Sequence, residues 1–148
     1  KLISRENQIN YFDKNIWNQM CIDNPEIILL SIFEDKEFVA YGGLVNISWE
    51  NKRAEVSFVA NTNISINEIN YKKIFSSYLS LIKYFAFKEL NLERLFTETY
   101  QIRPNHIQIL EDSGFILEGI MRAHVTIDGS KTNSLIHGIL HNDYFLQN

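Results

Sequence analysis

Two glutamates occupy strand-like stretches where a carboxylate can exchange protons. Glu55 interrupts a run in which Ala54, Val56, Phe58 and Ala60 share one face, so its side chain points to the other. Glu98 lies between Thr97 and Thr99 and shares a face with Phe96 and Tyr100. Those aromatic neighbours are expected to bury it in part and raise its pKa, as general acid–base chemistry requires. Tyr100 offers a phenol on the same face, with a core role as the plainer alternative. A second group suits anions. Lys72 and Lys73 stand near the start of a long helical pattern, and Arg103 and His106 bracket Pro104 at the start of a short one. Helix amino ends favour negative charge, and two lysines in a first turn cost ~0.3–1 kcal/mol unless an anion is near. If the helix starts at Ser65, both lysines lie in its second turn and are simply solvated.

Other familiar chemistries are missing. No zinc-ligand spacing, phosphate-binding lysine loop or nucleophile elbow occurs, and no metal is expected. Cys21 is the single cysteine, which excludes an internal disulfide; its place near an apolar helix face makes it a small core residue. His137 alternates with Leu135 and Ile139 and reads as a hydrogen-bonded core residue. Trp17 and Trp49 read as packing anchors. A net charge of −4 argues against nucleic acid or an anionic membrane as the main partner. No apolar run approaches the roughly 20 residues that span a bilayer, and no basic-then-apolar leader opens the chain, so a cytoplasmic domain is expected. With 148 residues, 45% apolar, the chain suits one domain with one sizeable core.

The elements that must position these groups follow from periodicity and punctuation. Phe12, Ile16, Trp17 and Met20 mark an amphipathic helix over Phe12–Cys21 that ends near Asn24-Pro25. Strands are expected over Ile27–Phe33, Phe38–Trp49 and Arg53–Ala60, with Gly42-Gly43 marking a bulge or a close backbone approach. The longest helix carries a stripe of Ile74, Tyr78, Leu81, Ile82 and Phe85, widened by Phe75, Leu79 and Ala86. Its start is open between Ser65, which heads a capping-box spacing to Glu68, and Asn70. A strand over Leu95–Tyr100 leads to a short helix in which Ile107 and Leu110 share a face. Pro104 suits its first position and Gly114 its left-handed end. Phe115–Ile127, a hairpin turn at Asp128-Gly129 and Lys131–Leu140 close the chain. The order α, β, β, β, α, β, α, β, β is that of an α+β domain with a mixed sheet.

Three stretches carry a family resemblance. They are Tyr41–Trp49 with Ala54–Phe58, Ala86–Leu92 leading into Leu95–Tyr100, and Asn105–Gly119 with Ile120–His124. Together they resemble the GNAT N-acyltransferases, and the last resembles the branch that acetylates ribosomal-protein amines, small amines and amino sugars. The resemblance spans essentially the whole chain and implies a GNAT-like mixed, mostly antiparallel sheet flanked by helices. It implies acetyl-CoA as co-substrate, held between splayed strands at Arg53–Ala60 and Leu95–Tyr100. Phe58, Val59 and Ala60, then Lys72, Lys73 and Ile74, then Arg103 and His106 are the donor-binding residues it suggests. Glu55 stands where the family often places a carboxylate base. Glu98 and Tyr100 are further catalytic candidates, and Arg122 and His124 border the acceptor cleft.

Two departures accompany the match. The family begins with a further strand and helix, so a chain opening on Lys1 is expected to be truncated at its amino end. That leaves a raw sheet edge for an upstream domain or a second copy to cover. The family also grips the CoA pyrophosphate with a glycine-rich turn, whereas Asn70–Ser77 contains no glycine and Leu110 stands where its usual tyrosine would. The leading expectation is an acetyl-CoA-dependent N-acetyltransferase acting on a primary amine of a small metabolite, such as a nucleotide-linked amino sugar. The rival is a catalytically silent GNAT-like module that binds a ligand or partner within a larger protein. A protein amino terminus is a third acceptor class.

Overall fold

The computed structural model describes residues 4–146. Helix α1 (Arg5–Tyr11) opens it, capped by Ser4 Oγ, which accepts from Asn7 N at 3.2 Å. The chain then widens into a π-turn over Phe12–Ile16 and tightens into a 3-10 turn over Trp17–Gln19. The expected regular helix over Phe12–Cys21 is therefore corrected: helical winding begins earlier and loses its α-register where the apolar stripe was read. Only Ile16 of that stripe is buried. Trp17 is 53% and Met20 70% exposed, and Cys21 is exposed where a core thiol was expected.

Strands β1 (Ile28–Glu34), β2 (Glu37–Ser48) and β3 (Arg53–Ala60) follow as an antiparallel meander. A short α2 (Thr62–Ser65) precedes the long α3 (Glu68–Tyr84), which ends in a π-turn over Phe85–Glu89. Then come β4 (Arg94–Tyr100), α4 (Pro104–Asp112), β5 (Ile116–Ile127), β6 (Ser130–Leu140) and a terminal α5 (His141–Leu146). All strands join one sheet in the order β1-β2-β3-β4-β6-β5, antiparallel throughout except for β3 beside β4. The mixed, mostly antiparallel α+β sheet expected from the sequence is present, with β1 and β5 as its edges.

Helix α3 lies across one sheet face. Phe75, Leu79, Ile82, Ala86 and Phe87 join Leu44, Ala54 and Leu95 in the core, and Ile109 and Leu110 of α4 complete it. Leu81, assigned to the stripe, is 68% exposed, because the sheet covers one side of α3 only. Gly42 permits the closest approach. A Cβ there would stand 2.5 Å from Ser57 O and 2.9 Å from the Tyr78 ring. With no Cβ in the way, the Tyr78 hydroxyl reaches Ser57 O at 2.7 Å and donates to it. The buried face of β4 and β6 carries Thr97, Thr99, Leu135, His137 and Ile139, and His137 Nε2 lies 3.5 Å from Glu111 Oε1. Among the described residues, no helix is long and apolar enough to cross a membrane.

Candidate active site

The site begins where two strands part. β3 and β4 pair in parallel through Arg53 with Arg94, Ala54 with Leu95 and Glu55 with Phe96. Beyond Glu55, β3 stays with β2 as far as Ala60, while β4 stays with β6 as far as Tyr100. The facing edges of Val56–Ala60 and Thr97–Tyr100 therefore have no strand partner on their inner sides, and their peptide groups need one. Glu55 is the last residue of β3 to be paired with β4, so it stands at the fork.

Three cavities follow this opening. The outermost, about 560 Å³, lies between the start of α3 and α4 and is bordered by Tyr71, Lys72, Arg103, Asn105 and His106 among others. A cavity of about 180 Å³ sits in the fork, against Glu55, Phe58, Phe75, Glu98, Arg103 and His106. The third, about 190 Å³, is bordered by Glu55, Glu98, Thr99, Tyr100 and Arg103. Arg103 borders all three. Only the outermost falls within the usual range of ligand pockets, about 300–1,000 Å³.

Aromatic side chains narrow the fork. Phe58 packs on Phe75 at 4.7 Å and on Tyr78 at 4.9 Å between ring centroids. His106 stacks on Phe75 at 4.2 Å. The Tyr71 hydroxyl lies 2.7 Å from His106 Nδ1 and accepts from Arg103 Nη2 at 2.8 Å. Burial and the nearby Arg103 charge, with a lesser push from His137, lower the His106 pKa to about 3. His106 is therefore neutral near pH 7, and Arg103, Tyr71 and His106 form one chain of bonds in which Arg103 donates to Tyr71 and, in the tautomer with its proton on Nε2, His106 Nδ1 accepts from Tyr71. Burial also raises the Tyr71 pKa, against the opposing pull of Arg103.

The opposite face of the sheet holds the carboxylates. Glu55 Oε2 accepts from Asn46 Nδ2 at 2.7 Å. The Glu98 side chain is 31% exposed, and its Oε1 lies 3.6 Å from His124 Nε2. β5 bulges between Met121 and Val125, with Ala123 at φ 51° and its N–H donated to Asn133 Oδ1 at 2.8 Å. That irregularity brings His124 to Glu98. Tyr100, given a core alternative, is instead 41% exposed beside the third cavity.

Residues 1–136 match the family described as an acetyltransferase (GNAT) domain. The chain belongs to the GNAT family. Its fold is also that of a spermidine/spermine N-acetyltransferase from Vibrio cholerae solved with manganese ions: TM-score 0.80 at 18% identity, over 98% of this chain and 79% of that one. A dodecameric structure of spermidine N-acetyltransferase from the same organism gives 0.80 at 18%, over 98% and 79% of the two chains. A chimera of the Vibrio cholerae enzyme with hSSAT gives 0.81 at 18%, over 97% and 83%. No curated protein sequence matches the chain.

Within this GNAT frame, the site residues read from sequence separate into two sets. Glu55, Phe58, Glu98, Tyr100, Arg103 and His106 converge on the fork and its cavities, and Lys72 borders the outermost. Val59, Ala60, Lys73, Ile74, Arg122 and His124 border none of these three cavities. Ile74 is buried against Val39 and Ala40, and Val59 and Arg122 are exposed. The lysine reading needs correction. Asn67, rather than Ser65 or Asn70, caps α3 by accepting from Asn70 N at 3.0 Å, so both lysines lie in the second turn. Lys73 pairs with Glu34, and Lys72 lies 3.5 Å from Asp112. His106, read as a phosphate ligand or a surface cap, is a buried neutral ring. Sequence reasoning missed Tyr71, which lies one turn before the stripe begins at Ile74, and read Phe75 as helix packing and as a residue standing where the family has glycine, without its stacking on His106. It also missed Asn46, whose place in an alternating strand carries no sign of a bulge. Among the described residues, no cluster of three or more metal-ligating side chains occurs.

Proposed function

We propose that this GNAT domain transfers an acetyl group from acetyl-CoA to a primary amine of a small metabolite. The fork between β3 and β4, with a carboxylate at its branch point, carries the reading. The outermost cavity has the size and the cations, Lys72 and Arg103, that suit the nucleotide end of the donor, and α4 turns its amino end toward it. The unpaired strand edges suit an amide-bearing arm. When bound, acetyl-CoA supplies an activated thioester carbon. Glu55 accepts the proton of the attacking amine, Glu98 and His124 line the approach, and the Tyr100 hydroxyl donates toward the departing sulfur. Ammonium groups are drawn to Glu55 and Glu98. A nucleotide-linked amino sugar is the acceptor that would also give Arg122 a phosphate to hold.

One observation favours the rival reading, a silent ligand- or partner-binding module. Tyr71, Phe75 and His106 stand between the outer cavity and the fork, where the family has a bare backbone turn. A thermal melt with millimolar acetyl-CoA decides. A ligand at 100 times its Kd adds about 2.7 kcal/mol, roughly 5–10 °C for a chain of this size. The transferase reading expects that shift, its loss in Arg103→Met, and turnover that falls in Glu55→Gln while the shift remains. No shift supports the silent module.

A further inference from the structure

We propose that Asn46 is a positioning residue that holds the Glu55 carboxylate in its working orientation, an inference that rests on the transferase reading for its catalytic meaning. The pairing of β2 with β3 slips at this point. Val45 lies opposite Glu55 and Ser48 opposite Arg53, so Asn46 and Ile47 face the single residue Ala54. That is a β-bulge, a device that re-aims a side chain and is common beside active sites. It is pinned from both sides. Ile47 is buried, and its N–H donates to Glu26 O at 3.0 Å. Asn46 itself takes φ 49°, in the left-handed region that asparagine tolerates better than most residues.

The consequence is at Glu55. In a regular strand, the side chain after Val45 would project to the face opposite Glu55. The bulge turns Asn46 back, and its Nδ2 donates to Glu55 Oε2 at 2.7 Å, short as charge-assisted bonds are. Among the described residues no second hydrogen bond holds this carboxylate, so its other oxygen remains for the two inner cavities that Glu55 borders. One oxygen is tethered and the other is free, an arrangement suited to a base that must meet a proton at a fixed place.

Asn46→Gly separates this role from a backbone one, because glycine keeps the left-handed conformation and removes only the amide. With acetyl-CoA and spermidine as probes, kcat should fall roughly tenfold, the scale of a bond to a charged group, while the acceptor KM changes less than twofold. The same substitution made in Glu55→Gln should have no additional effect. Unchanged kcat in Asn46→Gly, or an equal loss in both backgrounds, overturns the proposal. If the wild-type protein turns over no probe, the transferase reading fails for that acceptor, and the tether is read by NMR instead. The Asn46 side-chain amide protons should resonate downfield and move in Glu55→Gln; protons unmoved by that isosteric change overturn it independently of any activity.

Discussion

Acidifying the solution should loosen this fold through one histidine. His106 has a pKa of about 3 in the folded chain against an ordinary 6.5. Between those values the unfolded chain binds a proton that the native state refuses, so stability is full above pH 6.5 and declines as pH falls toward 3. Each pH unit within the window is worth about 1.4 kcal/mol. From pH 6.5 down to pH 5 the loss is therefore about 2 kcal/mol. No discount for solvent screening applies, since His106 is buried under Phe75 and Tyr71, with Arg103 the charge that acts on it most and His137 the next. Carboxylates that titrate in the same range contribute to any single curve, so the measurement is a difference. Urea unfolding at pH 7 and pH 5 is compared for the wild-type chain and His106→Gln, whose amide oxygen can still accept from Tyr71. The wild type should lose about 2 kcal/mol more than the variant. Parallel losses would show that the ring protonates in place, and the neutral bond chain from Arg103 through Tyr71 would have to be abandoned.

Two further outcomes test the packing that holds β2, β3 and α3 together. Tyr78→Phe removes the donor to Ser57 O at 2.7 Å, and equilibrium unfolding at pH 7 should show a loss of about 1–2 kcal/mol; no loss would mean that water satisfies the carbonyl. Gly42→Ala places a methyl 2.5 Å from Ser57 O and against the Tyr78 ring, and the thermal midpoint should fall by an amount equivalent to about 1–3 kcal/mol.

Much of this architecture was legible because punctuation residues act locally. Pro104 begins α4, and Gly114 ends it at φ 91°. Asp128 and Gly129 make a turn with both φ values positive, as the sequence led one to expect. The start of α3 was not legible for an equally physical reason. Asn61, Ser65, Asn67 and Asn70 are all competent caps within ten residues of one another. Asn61 and Asn67 are chosen, which makes two helices and turns Tyr71 inward. The burial of Ile16 alone among the apolar residues read into the first helix, and the exposure of Leu81, depend on what lies over each face, and periodicity does not report that. Bulges are harder still. Neither Asn46 nor Ala123 breaks its strand's pattern, yet each takes a left-handed φ and redirects a side chain toward a carboxylate.

On the proposed transferase reading, the absent glycines and the aromatic cluster are two sides of one departure from the family's pattern. A bare turn binds phosphate through its amides because nothing occupies the space in front of them. In this chain no glycine occurs between Gly43 and Gly114, and Tyr71, Phe75 and His106 pack on one another between α3 and α4. That packing strips water from His106, which makes the ring neutral and leaves it no attraction for an anion. The positive charge that remains at the junction of all three cavities belongs to Arg103, tethered to a phenol. A neutral phenol is a weaker partner for guanidinium than a phosphate, which can accept two parallel charge-assisted bonds. On the proposed transferase reading, donor recognition would turn on a side chain that can change partners, in place of amides that cannot.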